Sequence, residues 1–127
     1  MTGARTMTGD VAPDLELLLA VTVRGASGIE GEVSAVIDTG FSGAMLLPKD
    51  VVDRLFMEPG RFVSGSLADG STTIVPVYLG HVRWFDEDRE IEIVAAGQTT
   101  LIGVQLLEGY RLIADFEPAG LCQIRER

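Results

Sequence analysis

Ala35-Val36-Ile37-Asp38-Thr39-Gly40-Phe41-Ser42-Gly43 is the stretch on which the fold turns. An apolar, β-branched run that stops at Asp-Thr-Gly reads as a buried strand delivering one carboxylate into a tight turn that glycine permits. An ionised carboxylate at the end of an apolar strand has to be paired, coordinated, capped by donors or used, because burying it alone is costly. The simplest outcome is local. Asp accepts a hydrogen bond from the backbone two residues on and Gly supplies positive φ, so on the triplet alone Asp38 caps a turn in a structural β domain.

Outward from the triplet, the pattern stays one of strands. Leu15 to Arg24 alternates, with Leu15, Leu17, Leu19, Val21 and Val23 on one face. Gly25-Ala26-Ser27-Gly28 makes a hairpin turn, and Ile29 to Ile37 returns antiparallel up to Asp38. On the other side Ala44 to Leu47 is a further apolar strand, and Pro48 to Leu55 is a short helix with proline in its first turn. Pro59-Gly60 breaks the chain. Phe62 to Leu67 then pairs through Ala68-Asp69-Gly70-Ser71 with Thr72 to Val77, Asp69-Gly70 being a strong hairpin signal. His81 to Phe85 and Arg89 to Ala96 are two strands around the acidic turn Asp86-Glu87-Asp88. Leu101-Ile102-Gly103 ends a strand, and Val104 to Glu108 makes one or two helical turns capped by Gly109. Tyr110 to Phe116 and Leu121 to Ile124 are the last strands. Met1 to Asp10 is polar and small, so little order is expected there, with a flexible segment over 1–12 and one domain over 13–127.

Composition agrees with an all-β domain. A chain of 127 residues holds one core, and 46% hydrophobic residues with 15 glycines fit many short strands joined by turns. The formal net charge of −9 argues against nucleic acid and anionic membranes as partners, since both require a basic face. The longest apolar run, Leu17 to Val21, is too short to span a bilayer, and no basic segment followed by an apolar core opens the chain. A single cysteine, Cys122, excludes an internal disulfide framework and is consistent with a reducing cytoplasm; it reads as a small buried hydrophobe. One histidine, His81, with no second soft ligand nearby, gives no metal site, and the glycines are spaced wrongly for a dinucleotide loop, so no cofactor is expected.

Three elements in order carry a family resemblance. Val36-Ile37-Asp38-Thr39-Gly40-x-Ser42 resembles the active-site motif of aspartic proteases, and Thr100-Leu101-Ile102-Gly103 followed by Val104-Gln105-Leu106-Leu107 resembles that family's apolar-apolar-Gly-helix element. Between them Ser66-Leu67-Ala68-Asp69-Gly70-Ser71-Thr72 stands where the family carries the flap that closes over substrate. The likeness is to the retropepsin-like group and spans Leu15 to Ile124. It implies a closed or partly open barrel with one or two short helices and a two-fold homodimer, because one chain holds one Asp-Thr-Gly and the chemistry needs two carboxylates.

The activity so implied is peptide hydrolysis by water activated between Asp38 and the Asp38 of a second copy, one ionised as base and one protonated as acid. Thr39 would hold the turn by its hydroxyl and Gly40 would admit backbone and substrate. Phe41, Ser42, Leu67, Ala68, Asp69, Gly70, Ile102 and Gly103 would contact the peptide. Retroviral members place Ala and then an acid after the triplet, where Phe41 and Ser42 stand here, and an Arg where Val104 stands. In those members the Arg and the acid pair, so their joint absence orphans no charge. Phe41 would narrow the pocket near the paired acids. The same residues equally suit a dimeric module that grips extended peptides by strand addition without cleaving them.

Overall fold

The computed structural model describes residues 4–66 and 69–127. Its strands are β1 (Thr6–Thr8), β2 (Asp10–Val11), β3 (Leu17–Arg24), β4 (Glu30–Ile37), β5 (Met45–Leu47), β6 (Glu58–Ser66), β7 (Thr72–Trp84), β8 (Glu87–Ala95), β9 (Leu101–Ile102), β10 (Tyr110–Ala114) and β11 (Cys122–Glu126). Two short helices interrupt them, α1 (Lys49–Arg54) and α2 (Val104–Leu107). None of the described helices is long and apolar enough to cross a membrane.

The barrel is closed. Strand order runs β3-β4-β9-β5-β8-β7, and β7 returns to β3 through Val23↔Val82 and Arg24↔His81. β2 extends the sheet beyond β3, and β6 extends it beyond β7. Alternation explains the closure: Leu17, Leu19, Val21 and Val23 of β3 point inward with Met45 and Leu47 of β5 and Ile91, Ile93 and Ala95 of β8. Burying each large apolar side chain there stabilises the fold by about 1.5–3 kcal/mol before chain entropy is counted.

Several boundaries differ from the sequence reading, each for a physical reason. Leu15 is not part of β3; it lies exposed in the preceding turn at φ 70°. Pro59-Gly60 does not end a strand but sits within β6 as a β-bulge, where the register slips between Pro59 and Phe62 and Gly60 and Arg61 together oppose Val77. A Cβ at Gly60 would lie 2.9 Å from the Val77 carbonyl oxygen, so glycine is required for that approach. β7 continues unbroken for 13 residues instead of dividing before His81. The turn after it has two residues, Phe85 and Asp86, both at positive φ (52° and 64°), with Trp84 paired to Glu87. Phe85 tolerates that conformation because its ring is buried, stacked on Tyr110 (centroids 4.7 Å apart) and edge-on to Trp84.

The amino-terminal segment also differs from the expected disorder. β1 pairs with β11 from Thr6↔Arg125 to Thr8↔Gln123, and β2 pairs with β3. Met7 packs against the core, and Arg5 reaches back to hold Glu126 through two guanidinium nitrogens, at 3.1 Å and 2.9 Å, and through its own backbone N–H at 2.8 Å. The same guanidinium donates to the Phe85 carbonyl oxygen and lies over the Phe85 ring. A separate three-stranded sheet, β1-β11-β10, results, with β11 bonded on both sides. Cys122, at its start, is buried as expected.

Candidate active site

β4 and β5 follow each other in the chain but do not pair. β9 inserts between them, parallel to β4 (Val36↔Leu101, Ile37↔Ile102) and antiparallel to β5 (Met45↔Ile102, Leu46↔Leu101). The connection 38–44 therefore has to cross over the end of β9, with Asp38 at the start of the crossing. Backbone bonds seat it: Asp38 N–H donates to Ile102 O (2.8 Å), Gly103 N–H to Ala44 O (2.9 Å), Val104 N–H to Phe41 O (3.0 Å) and Gln105 N–H to Gly43 O (3.2 Å). The two sequence elements, Asp-Thr-Gly and Leu-Ile-Gly, are thus one structural unit.

Asp38 is half-buried at the end of β4. Its Oδ1 accepts from the Gly40 N–H at 2.8 Å, and its carbonyl oxygen accepts from the Phe41 N–H at 3.1 Å. This is the local turn capping that the triplet alone predicts. It uses one carboxylate oxygen; among the described residues the other accepts no hydrogen bond. Thr39 and Gly40 are exposed beside it, and the Thr39 hydroxyl has no partner among the described residues. The Phe41 ring folds back against Gly43 and Gly103, and a Cβ at either glycine would come within 2.7 Å and 2.6 Å of it.

A cavity of about 730 Å³ opens from this loop. It lies on the outside of the barrel: in β5 and β8, Met45 and Ile93 point into the core while their neighbours Leu46 and Val94 line the cavity. Gly40, Phe41, Ser42, Gly43 and Ala44 form its floor, and Val63, Gly65, Thr73 and Val75 of the β6–β7 hairpin form its roof. Of the sequence-derived site residues, Gly40, Phe41 and Ser42 line the cavity and Asp38 and Thr39 do not, whereas Ile102 is buried beneath the loop and Gly103 supports it. Leu67 and Ala68, expected at the hairpin tip, lie outside the described residues. Asp69 and Gly70 sit at that tip, where Asp69 Oδ1 accepts from the Ser71 hydroxyl (2.5 Å) and the Ser71 N–H (2.9 Å) and Gly70 takes φ 86°. Those bonds, the hydroxyl first, hold the exposed Asp69 carboxyl below the usual carboxylate range.

Two lining residues had no sequence motif. Arg61, placed by the β6 bulge, donates its Nε and one terminal nitrogen to the two oxygens of Glu92 on β8 at 2.7 Å and 2.8 Å. The Arg61 guanidinium holds the Glu92 carboxyl below the usual range. Both residues line the cavity, and among the described residues they are the charged members of its wall. Their only signal in the sequence is the Pro-Gly bulge and a strand alternation that turns Glu92 to the same face as Val94.

No family model matches the sequence, and no curated protein matches it. Among solved structures, the crystal structure of a retropepsin-like aspartic protease from Rickettsia conorii matches with a TM-score of 0.62 at 14% identity, covering 99% of this chain and 94% of that one. The likeness is one of fold: this chain is an all-β, retropepsin-like closed barrel with two short helices.

Proposed function

We propose that the protein is an aspartic-type endopeptidase active as a homodimer, with Asp38 of each copy forming the catalytic pair. The observation that carries this reading is the seat of Asp38. Its carboxylate stands at the end of a barrel strand with one oxygen bonded to Gly40 N–H, on a loop pinned to Ile102, Gly103 and α2, whose following residues Gly40, Phe41 and Ser42 line a cavity roofed by a hairpin. The retropepsin-like fold supports it. With Thr39 and Gly40 exposed beside it, the loop offers a surface on which a second copy brings its own Asp38 in a self-complementary contact. In the three-stranded sheet β11 is already bonded on both sides, so among the described residues that sheet's free edges are those of β1 and β10.

In such a pair the ionised carboxylate takes a proton from water as the water attacks the peptide carbonyl carbon, and the protonated carboxyl donates to the carbonyl oxygen. Collapse of the tetrahedral species returns a proton to the leaving nitrogen and restores the shared-proton pair. No covalent intermediate forms. The cavity wall accepts peptide side chains, and the hairpin edge strand β6 has backbone groups free to bond an extended chain. A single buried cysteine fits operation in a reducing cytoplasm.

The test is Asp38→Asn. Cleavage of a fluorogenic apolar peptide should fall by at least about 10³-fold, with sedimentation still reporting a dimer and the melting temperature held. A wild-type kcat/KM that is bell-shaped in pH is expected, because only the singly protonated pair has both an acid and a base. Cleavage surviving in the Asn variant refutes the assignment. Peptide binding by both proteins with cleavage by neither assigns a peptide-binding module instead.

A further inference from the structure

We infer that Arg61, oriented by its ion pair with Glu92, is a specificity-determining residue that selects peptides carrying a hydrogen-bond acceptor, a Glu or Gln side chain, at the position that fills the cavity. This deepens the reading above, since it rests on the cavity being the peptide site.

The cavity is apolar over Leu46, Val63, Val75 and Val94 and closes toward a charged pair at the root of the hairpin. That pair is built rather than incidental. The β-bulge at Gly60 and Arg61 is possible only because Gly60 approaches the Val77 carbonyl oxygen, and a bulge is the device by which a strand re-aims a side chain. Arg61 then reaches past β7 to Glu92, thirty-one residues away in sequence, and meets both carboxylate oxygens. Two-point contact fixes the plane of the guanidinium. It balances the Glu92 charge while leaving Arg61 with unused N–H groups: a guanidinium carries five donors, and two nitrogens are engaged here. A side chain with an apolar stem and a carbonyl or carboxylate end matches the apolar wall and those donors together, whereas a lysine offers them no acceptor and brings a like charge beside the guanidinium, so it is disfavoured. Arg61 stays charged at any working pH because Glu92 raises its pKa further above its ordinary value.

Binding is measured so that hydrolysis is not needed for the answer. Peptides identical except for Glu, Gln, Met or Lys at one position, scanned along the chain, are titrated calorimetrically into the Asp38→Asn protein and also offered as substrates to the wild type. At one position Glu and Gln should bind at least about tenfold tighter than Lys, the worth of one charge-assisted hydrogen bond. Arg61→Met should collapse that ratio to within about twofold, and Glu92→Gln, which leaves the guanidinium without a charged partner, should raise the preference of Glu over Gln by about tenfold. The pair is exposed, so both variants should retain the wild-type far-UV spectrum and melting temperature. A profile that Arg61→Met leaves unchanged, a preference for Lys, or no peptide binding at all overturns the inference. Discriminating binding without any wild-type cleavage upholds the inference and refutes the hydrolase reading. Cleavage indifferent to Arg61 does the reverse.

Discussion

Replacing Gly103 by alanine should unseat the Asp38 loop. Gly103 has extended backbone (φ −106°, ψ 179°), so a side chain there costs nothing in torsion and the whole effect is steric. The new Cβ would stand 2.2 Å from Gly43 O, 2.6 Å from Phe41 O and 2.6 Å from Phe41 Cδ2. Two of those three atoms are backbone oxygens, and they are the acceptors for Gln105 N–H and Val104 N–H. To restore contact distance the loop must retreat by about 1 Å. Over-packing costs about 1–3 kcal/mol and each hydrogen bond lost about 1 kcal/mol, so destabilisation of roughly 3–5 kcal/mol is expected. Against a total stability of about 5–15 kcal/mol this is severe. Urea unfolding followed by circular dichroism should show the midpoint lowered by 1 M or more, roughly, with the slope unchanged. Gly65→Ala supplies the control: its nearest neighbours would be at 3.9 Å, so the change should stay within about 0.5 kcal/mol. If Gly103→Ala costs no more than Gly65→Ala, the loop is not held as described and the placement of Asp38 falls with it.

The terminal sheet carries a pH dependence, and Cys122 reports on the same region. Arg5 holds the Glu126 carboxyl below its ordinary value of 4.5, first through the guanidinium and then through the backbone N–H. A depressed carboxyl contributes stability that is present above that ordinary value and lost as pH falls through the folded one. The protection factor of the Glu126 amide, whose N–H donates to Arg5 O at 3.1 Å, should therefore fall in acid relative to the barrel, and in Glu126→Gln it should be low and nearly independent of pH; equal protection factors in both proteins refute the clamp. Burial first, and the charge of Asp10 second, push the Cys122 thiol above 9.0, so its contribution is complete below that value and lost as pH rises through the folded one. Alkylation by iodoacetamide at pH 8 should be slow in the native protein and prompt in urea, and a rapid stoichiometric native reaction would contradict its burial.

The part of the site that is written locally in the chain was legible there. Val36-Ile37-Asp38-Thr39-Gly40 states its own strand end and turn, and the alternation of Leu17 to Val23 states which face of β3 enters the core. The insertion of β9 between β4 and β5 was not legible, because nothing in Leu101-Ile102 distinguishes a parallel neighbour from an antiparallel one. Arg61 and Glu92 were illegible for a different reason: neither has a motif, and they meet only once β6, β7 and β8 are laid side by side. Pro59-Gly60 misled in the same region, since the pair that usually breaks a strand is accommodated here by a bulge. At the amino terminus, Thr6-Met7-Thr8 has too little periodicity to announce a strand. Its order comes from the open edge of β11 and from Arg5, contacts more than a hundred residues away.

β7 has neighbours on both sides only from Val77 to Leu79 and again where β3 meets His81 and Val82; from Thr72 to Pro76 it bonds to β6 alone. In mechanical terms the hairpin is a lever arm clamped into a rigid ring, with its fulcrum at the bulge opposite Val77. Lifting the arm would break no bond of the six-stranded circuit, so the expected free-energy cost is below that of unfolding. A load applied beneath the arm, at Val63 or Val75, is resisted at the fulcrum by the Arg61–Glu92 strut and passed along β7 as tension toward the seam with β3.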